Sequence, residues 1–213
     1  MQIIDLTHTI NEDITVFPGT KGPSIEIISK IENEGYAEKK ISLYTHTGTH
    51  IDAPCHLLSN GKSLDEFPLN KFYGKGFILD CHQFAGKEIE VEFLKSFEKK
   101  ISAADFLILN SGWYKKWKSG SYFNDFPVLS LEATKWLTDF NLKAIGIDSI
   151  SLDKIDSEDL PNHHIALSHE ILIIENLTNL DELNPENEFI FQCFPLKIGE
   201  ADGSPVRAVA IYS

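Results

Sequence analysis

The amino-acid sequence predicts an α/β (α+β) domain built around a sheet. Three observations carry this expectation: eight short apolar or alternating runs, three helical candidates spaced between them, and a histidine-rich segment whose residue types favour an extended backbone. At 213 residues the chain is long enough for one sizeable core, whereas two full domains would be cramped, so residues 1–213 are read as a single domain. Hydrophobic residues at 42% and charged residues at 24% are ordinary for a folded globular protein and argue against disorder.

The strand candidates are IIDL (3–6), SIEIIS (24–29), GFILD (76–80), FLILN (106–110), AIGID (144–148), ILIIE (171–175), EFIFQCF (188–194) and VRAVAIY (206–212). Each has the length and the β-branched or aromatic content of a strand. Helices are expected over about 90–100, over 130–140 with Ser130 as N-cap, and over 161–169 behind Pro161, which suits a first helical position. Neither internal repeats, low-complexity segments nor a linker interrupts this order.

Charge and cysteine usage narrow the function classes. A formal net charge of −13 with no dense Lys/Arg cluster opposes binding to phosphate backbones or anionic lipid, so nucleic-acid and membrane partners are not expected. No apolar run approaches the roughly 18–20 residues needed to span a bilayer, and MQIIDLTHTI lacks the basic start and apolar stretch of a secretory signal. Three scattered cysteines, Cys55, Cys81 and Cys193, form no CxxC pair and no even framework, which together with the N-terminus predicts a cytoplasmic protein. NGKS at 60–63 lacks the earlier glycine of a phosphate loop, and no G-x-S-x-G elbow is present.

The segment THTGTHIDAPCH (45–56) concentrates three of the eight histidines and an aspartate. Thr45, Thr47, Thr49 and Ile51 are β-branched, Gly48 weakens a helix and Pro54 would break one, so a strand is predicted. Alternation then places His46, Gly48, His50 and Asp52 on one face, with Gly48 leaving room for an ion or substrate; Pro54 ends the pairing and His56 re-enters from a loop. A lone histidine on a strand is ordinarily satisfied by common hydrogen bonds. Four titratable groups on one face would each need a separate partner if buried, at a cost of several kcal/mol when unpaired, so a metal ion accounts for them better. Cys55 falls on the opposite face and is not expected to be a ligand.

The full pattern His46-x-Gly48-Thr49-His50-x-Asp52-x-Pro54-x-His56 resembles the signature of the metal-dependent cyclase/hydrolase family, which includes bacterial kynurenine formamidase (arylformamidase) and isatin hydrolase. DLTHTI (5–10), FPG (17–19), GIDSISLD (146–153) and IIENLTNL (173–180) extend the likeness over nearly the whole chain. The resemblance implies mixed sheets with flanking helices in a swivelling β/β/α arrangement. It also implies a ligand set of His46, His50 and Asp52 joined by His163 and, twelve residues on, Glu175, with His164 as the competing neighbour of His163. Such a nitrogen and oxygen set suits two divalent ions, zinc or manganese, bridged by Asp52 and activating a water.

His56 matches the family's proton shuttle, and Phe17 matches a position near substrate, although Phe17 stands where the formamidases have Trp. The implied reaction is hydrolysis of N-formyl-L-kynurenine to kynurenine and formate, in a homodimer or homotetramer. A cyclic or other acyl amide substrate, or a cyclase reaction, would use the same ligands. A non-catalytic metal-binding protein is the rival from another class. The aromatic stretch GWYKKWKSGSYF (112–123) is open to two readings, core or oligomer packing and a wall for an aryl substrate.

Overall fold

The structure, a computed structural model, describes residues 1–212. In chain order its strands are β1 (Gln2–Asp5), β2 (Ser24–Ser29), β3 (Glu38–Ser42), β4 (His50–Asp52), β5 (Tyr73–Asp80), β6 (Glu88–Ile89), β7 (Phe106–Asn110), β8 (Val128–Leu129), β9 (Ala144–Ile147), β10 (Leu172–Glu175), β11 (Phe189–Gln192), β12 (Gly203–Pro205) and β13 (Val209–Tyr212). The helices are α1 (Ile31–Glu34), α2 (Val91–Lys95), α3 (Glu98–Ser102), α4 (Leu131–Leu137) and α5 (Pro161–Ser168). Nine strands form one mixed sheet in the order β1-β13-β11-β5-β7-β9-β10-β4-β12. Its centre, β5-β7-β9-β10, is parallel, and every other pairing is antiparallel. β2 and β3 form a separate ribbon.

Period-two alternation in the central strands builds two cores, one on each face of the sheet. Ile78, Phe106, Ile108, Leu172 and Ile174 point to one side, where they meet Ile51, Leu6, Leu177 and Phe191. Phe77, Leu79, Leu107, Leu109, Ile145, Ile147 and Ile173 point to the other and are covered by Leu94, Ile101, Ala133, Leu137, Ala166 and Leu167 of α2 to α5. Burying each such side chain contributes about 1.5–3 kcal/mol, which explains why the central strands carry almost no polar residue before their last position.

Most of the expected elements are present with shifted ends, and three expectations are corrected. The helix over 90–100 is two short helices, because Phe97 leaves helical geometry between α2 and α3. The helix over 130–140 ends at Leu137, with Ser130 Oγ accepting a hydrogen bond from the Ala133 amide as its N-cap. Most consequentially, the strand predicted through Thr45–Asp52 exists only as β4, because residues 45–49 run through turns and bends. Gly48 is the reason. Its φ of +65° lies in the left-handed region, and a Cβ there would sit 2.8 Å from Ile14 Cδ1, so it serves a turn and close packing rather than open space beside an ion.

Gly48→Ala is expected to destabilise the fold by about 1–3 kcal/mol through backbone strain and the Ile14 contact, read as a lower urea midpoint with an unchanged slope.

Candidate metal centre

β4 lies between β10 and β12, and its register places the site. His50 stands opposite Glu175 on one side and Pro205 on the other, while Asp52 stands opposite Ile173 and Gly203. Directly opposed residues share a face, so His50, Asp52 and Glu175 all project to the helix-covered side that Ile173 occupies, while Ile51 and Ile174 enter the other core. α5 packs on that same side through Ala166 and Leu167 and delivers His163.

The candidate donor atoms converge. His46 Nδ1 lies 2.7 Å from Asp52 Oδ1, and His50 Nε2 lies 3.3 Å from the same oxygen and 3.4 Å from Glu175 Oε2. His163 Nε2 lies 3.1 Å from Glu175 Oε1 and 3.8 Å from Asp52 Oδ2. Two three-residue groups capable of holding a cation therefore share Asp52: His46 with His50, and His163 with Glu175. The donor set fits divalent ions. His50 directs Nδ1 to the Gly48 carbonyl at 2.8 Å, and His163 directs Nδ1 to Asp153 at 2.7 Å. Each ring thereby turns Nε2 inward, as metal-binding imidazoles do when an outer acceptor fixes their tautomer.

Asp153 was not singled out from the sequence. Its carboxylate accepts from the Asn162 and His163 amides at 2.9 and 3.0 Å, which caps α5 from a distance. A signal for it existed: the residue before Pro161 is Leu160, which has no capping side chain and adopts a φ of +41°, so the helix needed an acceptor from elsewhere. Asp202, beside His46 and His56, was also missed, and 146 residues separate it from His56 with no motif to connect them.

The chain itself is matched over residues 4–154 by the Cyclase family model. It belongs to the cyclase family. Curated relatives include the kynurenine formamidase of Bacillus anthracis, 31% identical over 210 residues that make up 97% of this chain and 95% of that one. The kynurenine formamidase of Bacillus mycoides is 32% identical over 212 residues, 98% of this chain and 96% of that one. Among solved structures, isatin hydrolase A from Labrenzia aggregata bound to benzyl benzoate superposes with a TM-score of 0.86 at 28% identity, covering 98% of this chain and 93% of that one. An isatin hydrolase bound to the product analogue thioisatinate has a TM-score of 0.89 at 21% identity, covering 99% and 92%, a likeness of fold.

Within this cyclase-family fold, a cavity of about 490 Å³ opens over the cluster, lined by His46, His50, Asp52, His56, His163, Glu175 and Asp202 together with Phe17, Tyr44, Ile150 and Leu160. A larger depression of about 710 Å³ beside Lys87, Glu88 and Lys154 has no converging ligand set, so chemistry assigns the smaller cavity as the site. Phe17 lies on the wall. The aromatic stretch 112–123 does not line the cavity. Trp113 and Tyr122 are buried in their own cluster with Phe126 and Ile150, and Trp117 stacks on His8 at 3.9 Å. His164 is exposed, and Cys55 sits on a 3₁₀ turn with its thiol facing the Ala201 carbonyl, outside the ligand groups.

Charge follows geometry. Burial alone would lower the pKa of His46, but the charge and hydrogen bond of Asp52, with help from Asp202, hold it at about 9. Burial is likewise overcome at His163, where Asp153, Glu175 and Asp52 raise it to about 10. Burial would also raise Asp52, yet His46 and His50 keep it well below the usual carboxylate range. His56 differs: burial dominates and lowers its pKa.

Because His46 and His163 bind protons more tightly in the folded chain than at their ordinary value of 6.5, they stabilise the metal-free protein fully below pH 6.5. That contribution is lost as pH rises through about 9 and about 10. The same protons must leave when a cation binds. Zinc binding is therefore expected to release protons at pH 7–8 and to tighten with rising pH, measured calorimetrically in buffers of different ionisation enthalpy, with urea melts of metal-free protein checking the stability trend.

Proposed function

We propose that this chain is a metal-dependent amide hydrolase whose substrate is N-formyl-L-kynurenine, cleaved to kynurenine and formate. The observation that carries the reading is Asp52 shared between two ligand groups, with His56 beside them and outside both. When bound, two divalent ions, zinc or manganese, would supply Lewis acidity to the amide carbonyl and acidify the attacking water. His46, His50 and Asp52 would hold one of them, and Asp52, His163 and Glu175 the other.

The remaining chemistry belongs to the chain's own side chains. His56, neutral at physiological pH because burial lowers its pKa, accepts the water proton and returns it to the departing nitrogen as the C–N bond breaks. Phe17, Ile150 and Leu160 offer an apolar wall against which an aryl group can lie while Tyr44 flanks the mouth. The formamidase relatives at 31–32% identity over nearly the full length support this substrate. The isatin hydrolase A likeness supports a second reading, opening of a cyclic amide by the same residues.

Turnover of N-formylkynurenine and isatin is to be compared in metal-stripped protein and after zinc or manganese is restored, with bound metal quantified. Metal-restored formamide cleavage is expected. Cleavage of isatin alone would move the chain to the second reading, and metal rebinding without either reaction would sink both. His56→Ala should retain metal and lose about 10²–10⁴ in rate; an unaltered rate would remove His56 from the mechanism.

We further infer a reducing, cytosolic setting, supported by three free cysteines, and a homodimer or homotetramer. Among the described residues no helix is long and apolar enough to cross a membrane. The β2–β3 ribbon supports self-association: Ile25, Ile27 and Ile41 share one of its faces, and Ile27 and Ile41 remain 59% and 57% exposed. Sedimentation equilibrium should give an oligomer for the wild type and monomer for an Ile27→Lys/Ile41→Lys variant; a monomeric wild type would exclude the assembly.

A further inference from the structure

One more carboxylate faces the cluster from the sheet edge. Asp202 directly precedes β12, and its carbonyl accepts from the Ala53 amide at 2.8 Å, which pins this backbone beside the end of β4. Its Oδ2 lies 3.0 Å from His46 Nε2 and 3.7 Å from His56 Nδ1. The two imidazoles sit against each other, with ring centroids 4.1 Å apart and planes tilted by 37°. His46 meanwhile points its other nitrogen, Nδ1, at Asp52. Next in the chain, Gly203 stands opposite Asp52 in the sheet, and a Cβ there would lie 2.6 Å from His46 Cε1 and 2.9 Å from Nε2.

These contacts answer a problem that the fold creates. His50 is held by strand pairing and His163 by a helix, but His46 sits in a turn, with no regular backbone pairing to aim it. A ligand carried on a turn needs its ring fixed from outside. We infer that Asp202 and Gly203 form a cradle that positions His46 and His56 together. Gly203 leaves the space in which the His46 ring lies flat on β12, and Asp202 accepts a hydrogen bond from Nε2–H so that Nδ1 carries the lone pair toward the ions. The same carboxylate attracts His56 Nδ1, which turns His56 Nε2 away from Asp202. One side chain thus aligns a metal ligand with the proton shuttle. The His56 half rests on the hydrolase reading; the His46 half stands on metal binding alone.

A competing role is that Asp202 is itself a ligand, since His46, His56 and Asp202 can also bring three donor atoms together. The two roles differ in stoichiometry. Asp202→Asn keeps shape and a partly exposed position, and Gly203→Ala perturbs the ring without touching any carboxylate. For both, zinc affinity is measured by competition with a chromophoric chelator, zinc content by elemental analysis, and kinetics on whichever amide the wild type cleaves. A cradle predicts wild-type zinc content in both variants, affinity weakened by about 10–100-fold, and for Asp202→Asn at saturating zinc a kcat lower by roughly tenfold or more with KM unchanged. Loss of one zinc equivalent in Asp202→Asn would make Asp202 a ligand and overturn the cradle, as would wild-type affinity in both variants. If the wild type cleaves no amide, the hydrolase reading fails while the affinity measurements still decide the His46 half.

Discussion

A carboxylate buried in the sheet is the constraint on which the site depends. Asp52 is 1% exposed, and an ion of that size taken out of water carries a penalty of several kcal/mol unless charge and hydrogen bonds compensate. The compensation comes from three imidazoles on three kinds of backbone: a turn for His46, the same strand for His50, and a helix start for His163. Glu175 adds a second buried carboxylate between His50 and His163. In the absence of metal the neighbouring carboxylates raise the pKa values of His46, His50 and His163, which favours the protonated imidazoles that offset the buried negative charge. A bound metal ion would supply the same positive charge in compact form, so one arrangement would serve the folded chain and its loaded state.

Each partner of Asp52 brings a polar group of its own into the interior, and the chain satisfies these in turn. The Gly48 carbonyl takes His50 Nδ1 and also the Asn176 side-chain amide, while the Asn176 side-chain oxygen accepts from the Tyr122 hydroxyl. Asp153 takes His163 Nδ1 and caps α5. Asn162, next to His163, is fixed by Thr134 of α4 and the Leu129 carbonyl. The helix that carries His163 is therefore tied to its neighbouring helix and strand by buried hydrogen bonds, which limits how far His163 can drift from Glu175. The aromatic cluster around Tyr122 supports the opposite flank, and this explains why the 112–123 stretch is packed inward instead of lining the cavity.

The sheet and most of the side chains that converge at the site were legible in the sequence, because they rest on local patterns. Runs such as FLILN and ILIIE have the composition of strands buried on both faces, and Ser130 announces α4. The spacing of His46, His50 and Asp52 also pointed to convergence, though for a partly different reason: alternation accounts for His50 and Asp52, while His46 reaches the site through a turn at a left-handed Gly48. A two-residue spacing looks alike in a strand and in such a turn, so sequence alone could not separate them. β12 was hidden because three residues of Gly203–Pro205 carry little strand propensity and pair only at an edge. Asp153 and Asp202 act through distant contacts that leave no local periodicity.

The position of the site follows from a change of strand direction. β9 and β10 run parallel, so their carboxyl ends emerge together and the segment after β9 carries Ile150, Ser151 and Asp153 over Glu175, the last residue of β10. β4 then runs antiparallel to β10, which brings the beginning of β4, at His50, against that same end. A fifth parallel strand in place of β4 would present its N-terminal residues at the far end of β10 and leave Glu175 without His50. The turn that carries His46, the segment after β9 and the start of α5 can meet only at the edge where parallel pairing gives way to antiparallel, and in open mixed sheets such a crevice beyond strand carboxyl ends is where ligands are held. The convergence is thus a consequence of topology: Asp52 is buried where that reversal collects imidazoles from three segments of the chain around it.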